Sequence, residues 1–165
     1  MKIDQGWFTD TFEDVTRADQ ISDKNGQVLV FVLGSMNDDD RWYTSLRTKY
    51  PNAAIISCSS SEVIIGQSML EKSIGYTAIQ FDRTPFRVNQ LKIDDSQTIF
   101  EAGKRLVEPL VQEDLTCVLL FSDGKSINGS EMISGVNSVL GQHVIVTGGM
   151  ASDGAQFIST TVGYN

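Results

Sequence analysis

Hydrophobic and polar positions along this chain recur with two different periods, and each change of period marks a new element. Continuous apolar runs rich in β-branched residues predict four buried strands: QVLVFVLG, AAIIS, LTCVLLF and HVIVTG. Apolar residues at helical spacing predict three helices, of which the first carries Trp42, Leu46 and Tyr50. The second helix is predicted over residues 94–112 and the third over residues 130–140. Strand, helix and strand therefore follow one another near both ends of the chain.

The start and the middle of the chain have a different pattern. Residues up to Asn25-Gly26 are polar and weakly patterned. SIGYTAIQF and PFRVNQLKI are β-rich runs separated by residues 82–84, so they predict an antiparallel hairpin. The sequence therefore predicts a single α/β domain over residues 1–165: a mixed β-sheet with flanking helices, strand–helix–strand units at both ends and an antiparallel hairpin in the middle.

The predicted helices carry recognisable end residues. Asn37 or Asp38 is a suitable N-cap for the first helix. Asn128 is a suitable N-cap for the third helix, with Glu131 three residues on as its capping-box partner. Pro109 should kink the second helix or end its regular part, because proline cannot donate a helical hydrogen bond.

Charge and composition exclude several classes of function. The net charge of −8 argues against a nucleic-acid partner, because phosphate binding needs a basic face. No apolar run approaches the ~20 residues of a membrane span, and carboxylates stand where the apolar part of a secretory signal would be. A cytoplasmic protein without membrane insertion is therefore expected. Two cysteines and one histidine are too few for a structural zinc site, so no metal is expected.

The two cysteines suit a reducing compartment, in which a disulfide between them is not expected. Cys117 lies inside an apolar run and is predicted to be a small buried hydrophobic residue. Cys58 lies where a predicted strand gives way to a polar loop.

Loops of small polar residues follow three of the predicted strands: CSSSE after AAIIS, SDGKSING after LTCVLLF, and TGGMASDG at the end of HVIVTG. Strands at residues 28–33, 53–57 and 115–121 are expected to share one sheet, with the loops after the second and third at the same edge. That edge is where ligands bind in open α/β sheets. A tight turn also explains each loop singly, but together they predict a shared pocket. The candidate ligand-binding residues are Cys58, Ser59, Ser60, Asp123, Lys125, Ser126, Gly148, Gly149 and Asp153.

The order of these motifs resembles the N-terminal domain of the FIST family, bacterial sensory proteins named for F-box and intracellular signal transduction. FSDGKSINGSEM is similar to the family's DG-x-S-x-NG loop and helix. VTGGMASDG is similar to its GG-x-A-G-D element, with Ser152 in place of a usual glycine. YPNAAIISCSSSEV is similar to its G-C-S-(T/S)-x-GE element, with a loop one residue shorter. The resemblance covers residues 27–165, and the family's usual C-terminal domain has no counterpart in it.

The resemblance implies a sensory domain that binds a small molecule such as an amino acid and performs no catalysis. FIST domains are similar to input modules of histidine kinases, chemotaxis receptors and cyclic-dinucleotide enzymes, so such a protein is the expected partner. In this interpretation Asp123, Lys125, Ser126 and Asp153 hold polar groups of the ligand. Residues 58–60 line the wall of the pocket.

Three alternatives stay open. Some FIST relatives are haem proteins that sense nitric oxide, and His143 would be the only histidine ligand here, with Cys58 as a thiolate alternative. An enzyme with Cys58 or a serine as nucleophile would need His143 as its base, but the expected topology places them at opposite edges of the sheet. An interaction module that forms homo-oligomers through unpaired strands is compatible with sensing.

Overall fold

The computed structural model describes residues 1–8, 14–16, 21, 27–36, 40–94, 96–154, 156 and 158–165. The chain divides into two compact units. Unit 1 comprises Met1–Phe86 and Ala151–Asn165, and unit 2 comprises Arg87–Met150. Unit 2 is therefore inserted, in sequence, between the two stretches that form unit 1.

Unit 1 is built on a mixed sheet. Its strands are β1 (Lys2–Phe8), β2 (Asp14–Thr16), β3 (Val28–Gly34), β4 (Ala54–Ser59), β5 (Glu62–Ile65), β6 (Ser68–Glu71) and β7 (Ile74–Gln80), with β10 (Val162–Tyr164) near the end of the chain. Six of them form one sheet in the order β10-β4-β3-β7-β1-β2. β3 and β4 are parallel, whereas the other neighbouring pairs are antiparallel. Helix α1 (Arg41–Lys49) joins β3 to β4, so the α/β class and the first strand–helix–strand unit are confirmed.

The core of unit 1 is centred on one side of α1. Trp42 and Leu46 of α1 are buried in the same cluster as Val30 of β3 and Ile55 of β4. Apolar residues four apart lie on one stripe of a helix, which is the stripe that the sequence pattern predicts. The helix begins at Arg41, and the residue at its N-cap position makes no capping bond through its side chain. The predicted caps Asn37 and Asp38 lie outside the described residues.

The antiparallel hairpin in the middle of the chain is formed by β5 and β6. The prediction that SIGYTAIQF pairs with PFRVNQLKI is wrong, because residues 82–94 form no strand. β7 is instead paired on one edge with β1 and on the other with β3. Both edges of β7 are thus filled by strands that are distant in sequence, and no edge remains for the following segment.

Unit 2 contains α2 (Ile99–Val107), a 3₁₀ turn (Glu108–Leu110), β8 (Cys117–Ser122), α3 (Gly129–Asn137) and β9 (Ile145–Met150). β8 and β9 form a parallel two-stranded sheet of their own. The second strand–helix–strand unit is therefore confirmed, but the expectation that β8 shares a sheet with β3 and β4 is wrong. An apolar run identifies a buried strand without identifying its neighbour. As predicted, the regular part of α2 ends just before Pro109.

One side of the β8–β9 sheet packs against the helices of unit 2. Val118 of β8 is buried with Met132 and Val136 of α3. Cys117, the neighbouring residue, is exposed, so the prediction that it is buried is wrong. Successive side chains of a strand point to opposite faces, and only one face of this sheet is covered within unit 2. Neither cysteine forms a disulfide.

The described helices are short, and none of them has the length and apolar character needed to cross a membrane.

Candidate ligand-binding site

The carboxyl ends of β3 and β4 lie side by side in unit 1 because the two strands are parallel neighbours. Gly34, the last residue of β3, is in register with Ser59, the last residue of β4. Just beyond them the Ser60 N–H donates to the Gly34 carbonyl at 2.9 Å. This edge of an α/β sheet is the one at which ligands commonly bind.

A cleft of about 170 Å³ opens at this edge. Most of the side chains that line it are small and polar. The full lining is Ser35, Met36, Ser59, Ser60, Ser61, Ser152, Asp153, Gln156, Ile158, Ser159 and Thr161. Seven of these residues carry a hydroxyl group, and Asp153 is the one charged residue among the described lining. The cleft is smaller than the roughly 300–1,000 Å³ of pockets for drug-sized ligands. It therefore suits a small polar molecule.

Ser59 connects the two stretches of chain that border the cleft. Its N–H donates to the Thr161 carbonyl at 2.9 Å, and its Oγ accepts from the Thr161 N–H at 3.0 Å. Its carbonyl accepts from the Ser152 N–H at 2.9 Å. Ser59 is buried, and these three bonds make it the residue that shapes one wall of the cleft.

Asp153 binds the backbone of two other lining residues, Ile158 and Ser159. Its Oδ2 accepts from the N–H groups of Ile158 at 2.6 Å and Ser159 at 2.9 Å. The side chain therefore has a structural function as well as a charge at the cleft.

Besides Ser59, three lining hydroxyls have close partners. Ser61 Oγ and Ser152 Oγ are 3.4 Å apart, and either group can be the donor. Ser60 Oγ donates to the Glu62 carbonyl at 3.0 Å. A hydroxyl both donates and accepts, so the Ser61–Ser152 pair can reorient towards either kind of ligand group.

The cleft brings together three of the residues predicted from sequence: Ser59, Ser60 and Asp153. The other lining residues are not among those predicted from the sequence. For Ser35 a pattern was available, since Gly34-Ser35 ends the apolar run of β3 as Ser59-Ser60 ends that of β4. The segment around Ser159 and Thr161 carries no such pattern, because its position depends on hydrogen bonds to Ser59 and Asp153.

Cys58 does not line this cleft. It is buried in β4 between Leu33 and Val162 in register, with its Sγ 3.8 Å from the Ser59 carbonyl oxygen. Burial raises the pKa of the Cys58 thiol above its ordinary value. A protonated, buried thiol is a weak nucleophile.

The predicted loop of Asp123, Lys125 and Ser126 belongs to unit 2. Asp123 Oδ1 accepts from the N–H groups of Lys125 at 2.6 Å and Ser126 at 3.1 Å. This is the bonding of an Asx turn, which tightens the loop before α3. That these three residues bind a ligand stays a prediction.

The helix that follows this loop has the N-cap that the sequence predicts, but within the described residues Glu131 does not complete a capping box, because its carboxylate bonds another helix. Asn128 is at the N-cap position, and its Oδ1 accepts from the Glu131 N–H at 3.2 Å. The Glu131 carboxylate accepts from the Phe100 N–H at 3.3 Å, in the first turn of α2. Glu131 therefore supplies an acceptor to the N-terminus of the other helix of unit 2.

Gly148 and Gly149 lie within β9 rather than in the loop after it. Gly148 has a φ of +146°, and a Cβ at this position would collide with the Leu120 backbone of the paired strand. Glycine is therefore required there by strand packing. A Cβ at Gly149 would meet nothing within 4 Å. A ligand-binding function for the two glycines stays a prediction.

His143, the alternative haem ligand, is exposed in the turn between α3 and β9. Its imidazole lies over Gly141, where an added Cβ would be 2.7 Å from the ring. Haem binding stays a prediction. Among the residues that the structure describes, no three His, Cys, Asp or Glu side chains come together as a metal-binding group.

The fold and the cleft together define an α/β domain with a polar site at the carboxyl edge of parallel strands. The sequence model of the FIST N domain matches residues 27–165. The chain therefore belongs to the FIST N domain family, whose members are sensory domains of signal transduction. No curated protein and no solved structure matches the chain.

Proposed function

We propose that this FIST N domain is a non-catalytic sensor that binds a small polar molecule of the amino-acid class in the cleft beyond β3 and β4. The observation that supports this function is the lining of the cleft, which combines seven hydroxyl side chains with the Asp153 carboxylate around a small volume. No lysine or arginine belongs to the described lining, so a simple anion would find no countercharge there.

An amino acid matches this lining at both of its charged ends. Its ammonium group would bind the Asp153 carboxylate, whose Oδ2 is held in place by two backbone N–H groups. Its carboxylate would accept hydrogen bonds from the hydroxyls of Ser61 and Ser152, which lie beside each other. Hydrogen bonds to charged groups are stronger than those between neutral groups, so this pairing gives both affinity and orientation.

The non-catalytic part of the proposal is supported by the state of Cys58. Nucleophilic catalysis needs an activated nucleophile with a base within hydrogen-bond distance. Cys58 is buried, and its thiol pKa is raised, which is the reverse of activation. The proposal further assigns the domain to the bacterial cytoplasm, where a histidine kinase, chemotaxis receptor or cyclic-dinucleotide enzyme receives the output.

The first test is a thermal-shift screen of amino acids with the full chain. A ligand that binds only the folded state at 100 times its Kd stabilises that state by about 2.7 kcal/mol, so a binder raises the melting temperature measurably. The best compound is then titrated calorimetrically. If no amino acid raises the melting temperature, the proposed ligand class is wrong.

The second test places the ligand by comparing Asp153→Asn with wild type. Asparagine keeps an oxygen for the Ile158 and Ser159 N–H groups, so the unliganded protein should melt as before. The lost charge-assisted bond is worth about 1.5–3 kcal/mol, which lowers affinity roughly ten- to a hundredfold. Asp123→Asn is the matched control, because it removes the same charge from unit 2. A loss of affinity confined to Asp123→Asn would refute the cleft as the site.

A further inference from the structure

The outer face of the β5–β6 hairpin carries two apolar side chains that no described residue covers. Ile64 and Met69 are directly opposite each other in the antiparallel register, and they are 76% and 64% exposed. The neighbouring side chains Val63 and Ile65 point to the other face and are buried. A strand with one covered face normally places polar residues outward, whereas β5 places the apolar Ile64 there.

Two acidic residues lie next to this apolar pair. Glu62 and Glu71 are also directly opposite each other, and each lies two residues from Ile64 or Met69 on its own strand. All four side chains therefore point to the same face, which we call the hairpin face. Like charges at directly opposite positions destabilise a strand pair. Within the described residues neither carboxylate forms an ion pair.

The chemistry of the hairpin face determines what can cover it. Burial of Ile64 and Met69 against an apolar side chain would remove their exposed surface from water. A cation beside Glu62 and Glu71 would replace their mutual repulsion with attraction. A protein segment that presents an apolar side chain between lysines or arginines would do both.

A second copy of this chain fits the hairpin face poorly. Each copy has a net charge of −8, so approach of two copies is opposed by repulsion. Two apolar side chains also supply only a small part of the ~800 Å² per partner that a stable interface buries. A transient contact with a basic partner needs less area and is favoured by charge.

The hairpin is attached at both ends to the cleft lining. Ser60 and Ser61 line the cleft and lead directly into β5. Beyond β6, the Ser73 carbonyl accepts from the N–H of Ser35, another lining residue, at 3.1 Å. A rearrangement of the lining would therefore act on both ends of the hairpin.

We infer that the hairpin face is a docking surface for a partner protein segment that carries an apolar side chain flanked by basic ones. The use of this surface as the output of sensing rests on the proposed function. Docking itself requires no ligand in the cleft, so the two proposals can fail separately.

The probe is a fluorescein-labelled peptide of alternating lysine and leucine, and its binding to the full chain is followed by fluorescence anisotropy. The double variant Ile64→Ser/Met69→Ser should weaken binding at least tenfold. Glu62→Gln/Glu71→Gln should weaken it at least threefold and reduce its salt dependence. All four positions are on the outer face, so the melting temperatures should stay within a few degrees of wild type.

The matched control is Glu113→Gln/Asp114→Asn, which changes the net charge by the same amount at exposed positions of unit 2. It should change the affinity less than twofold. An equal loss in this control would show that the peptide responds only to overall charge and would overturn the proposal. Unchanged binding to Ile64→Ser/Met69→Ser would also overturn it.

Two further measurements separate the remaining outcomes. If sedimentation shows that wild type is dimeric and Ile64→Ser/Met69→Ser monomeric, a second copy occupies the face and the basic partner is refuted. Calorimetric titration of the best amino acid should give the same affinity for wild type and this variant. Loss of peptide binding with retained amino-acid binding supports a docking surface distinct from the cleft.

Discussion

Gly103 of α2 and Gly135 of α3 lie against each other where the two helices of unit 2 pack. A β-carbon built on Gly103 would be 3.3 Å from the Gly135 Cα, and it would be closer still to the Met132 carbonyl oxygen. One built on Gly135 would be 3.1 Å from the Phe100 Cα and would collide with the Phe100 carbonyl. The two helix backbones are therefore in direct contact, with no room for side chains between them.

Gly135→Ala is expected to destabilise the protein. In an unobstructed helix, alanine would be favoured over glycine by about 1 kcal/mol. Here the added methyl group meets a backbone carbonyl that cannot move unless α2 and α3 separate, and overpacking of this kind costs about 1–3 kcal/mol or more. Urea denaturation measures the difference in the free energy of unfolding. Gly149→Ala is the control, because its methyl group would meet nothing within 4 Å; equal losses in both variants would contradict the close helix contact.

Asn128→Ala should lower the free energy of unfolding by about 1 kcal/mol, the usual cost of a lost N-cap. The Glu131 N–H loses its side-chain acceptor, so the first turn of α3 is less stable. Asn128→Ser keeps an acceptor oxygen and should retain most of the stability. Chemical denaturation of the three proteins checks this, and an Asn128→Ser variant as unstable as Asn128→Ala would show that capping is not the reason.

Tyr50→Phe should cost about 1–3 kcal/mol, the range for a buried polar group that loses a partner. The Tyr50 hydroxyl donates to Asp4 Oδ2 at 3.1 Å, and both residues are fully buried. Tyr43→Phe removes a hydroxyl whose contact with Arg47 is long, at 3.5 Å, so it should change stability by less than about 0.5 kcal/mol. Thermal and urea unfolding of both variants provide the comparison, and a neutral Tyr50→Phe would mean that Asp4 does not need this donor.

The two cysteines should differ in reactivity towards a thiol reagent. Cys117 is exposed and should react in the native protein, whereas buried Cys58 should react only after unfolding. One equivalent is therefore expected in buffer and two in denaturant. In native Cys117→Ser the fast reaction with the reagent should disappear. If a fast reaction persists, Cys58 is at the surface.

The raised pKa of Cys58 also predicts a pH dependence of stability. The folded state favours the neutral thiol more than the unfolded state does. The contribution of Cys58 to the free energy of unfolding is therefore fully present below the ordinary thiol pKa of 9.0. It is lost as pH rises from there through the higher pKa of the folded state. The free energy of unfolding should therefore fall less steeply above about pH 9 in Cys58→Ala than in wild type. Parallel curves for the two proteins would contradict this.

Elements with their own internal pattern could be predicted from the sequence. The apolar runs of β3, β4, β8 and β9, the stripe of α1 and the cap at Asn128 depend on residues a few positions apart. Pairing partners could not be predicted, because they depend on which strands reach the same edge. That is why the predicted partner of β7 and the predicted sheet of β8 are wrong.

In strand β1 the buried face is not made of apolar residues, so the sequence pattern does not identify it. Its inward positions are Asp4, Gly6 and Phe8, whereas Ile3 points outward and is exposed. Asp4 can be buried because donors that include the Tyr50 hydroxyl and the Ile21 N–H bind its carboxylate. Gly6 is opposite Tyr76 in register, and a side chain there would clash with the tyrosine ring. Neither residue is recognisable as a core residue until its distant partner is known.

The candidate site is likewise assembled from parts that are distant in sequence. Ser59-Ser60 could be selected because it follows an apolar run, as could Asp153 after its glycines. The hydroxyls of Ser159 and Thr161 could not, because nothing local directs them to the cleft. The two bonds between Ser59 and Thr161 decide their position.

The insertion of unit 2 within unit 1 also sets an order of assembly during synthesis. β4 emerges from the ribosome long before β10, so one edge of β4 stays open until residues 162–164 pair with it. Exposed strand edges are sites of wrong pairing. The bond from Thr161 to Ser59 joins positions 102 residues apart, so the cleft is incomplete until synthesis has passed Thr161. A nascent chain that ends before Thr161 therefore lacks one of the two stretches that line the cleft.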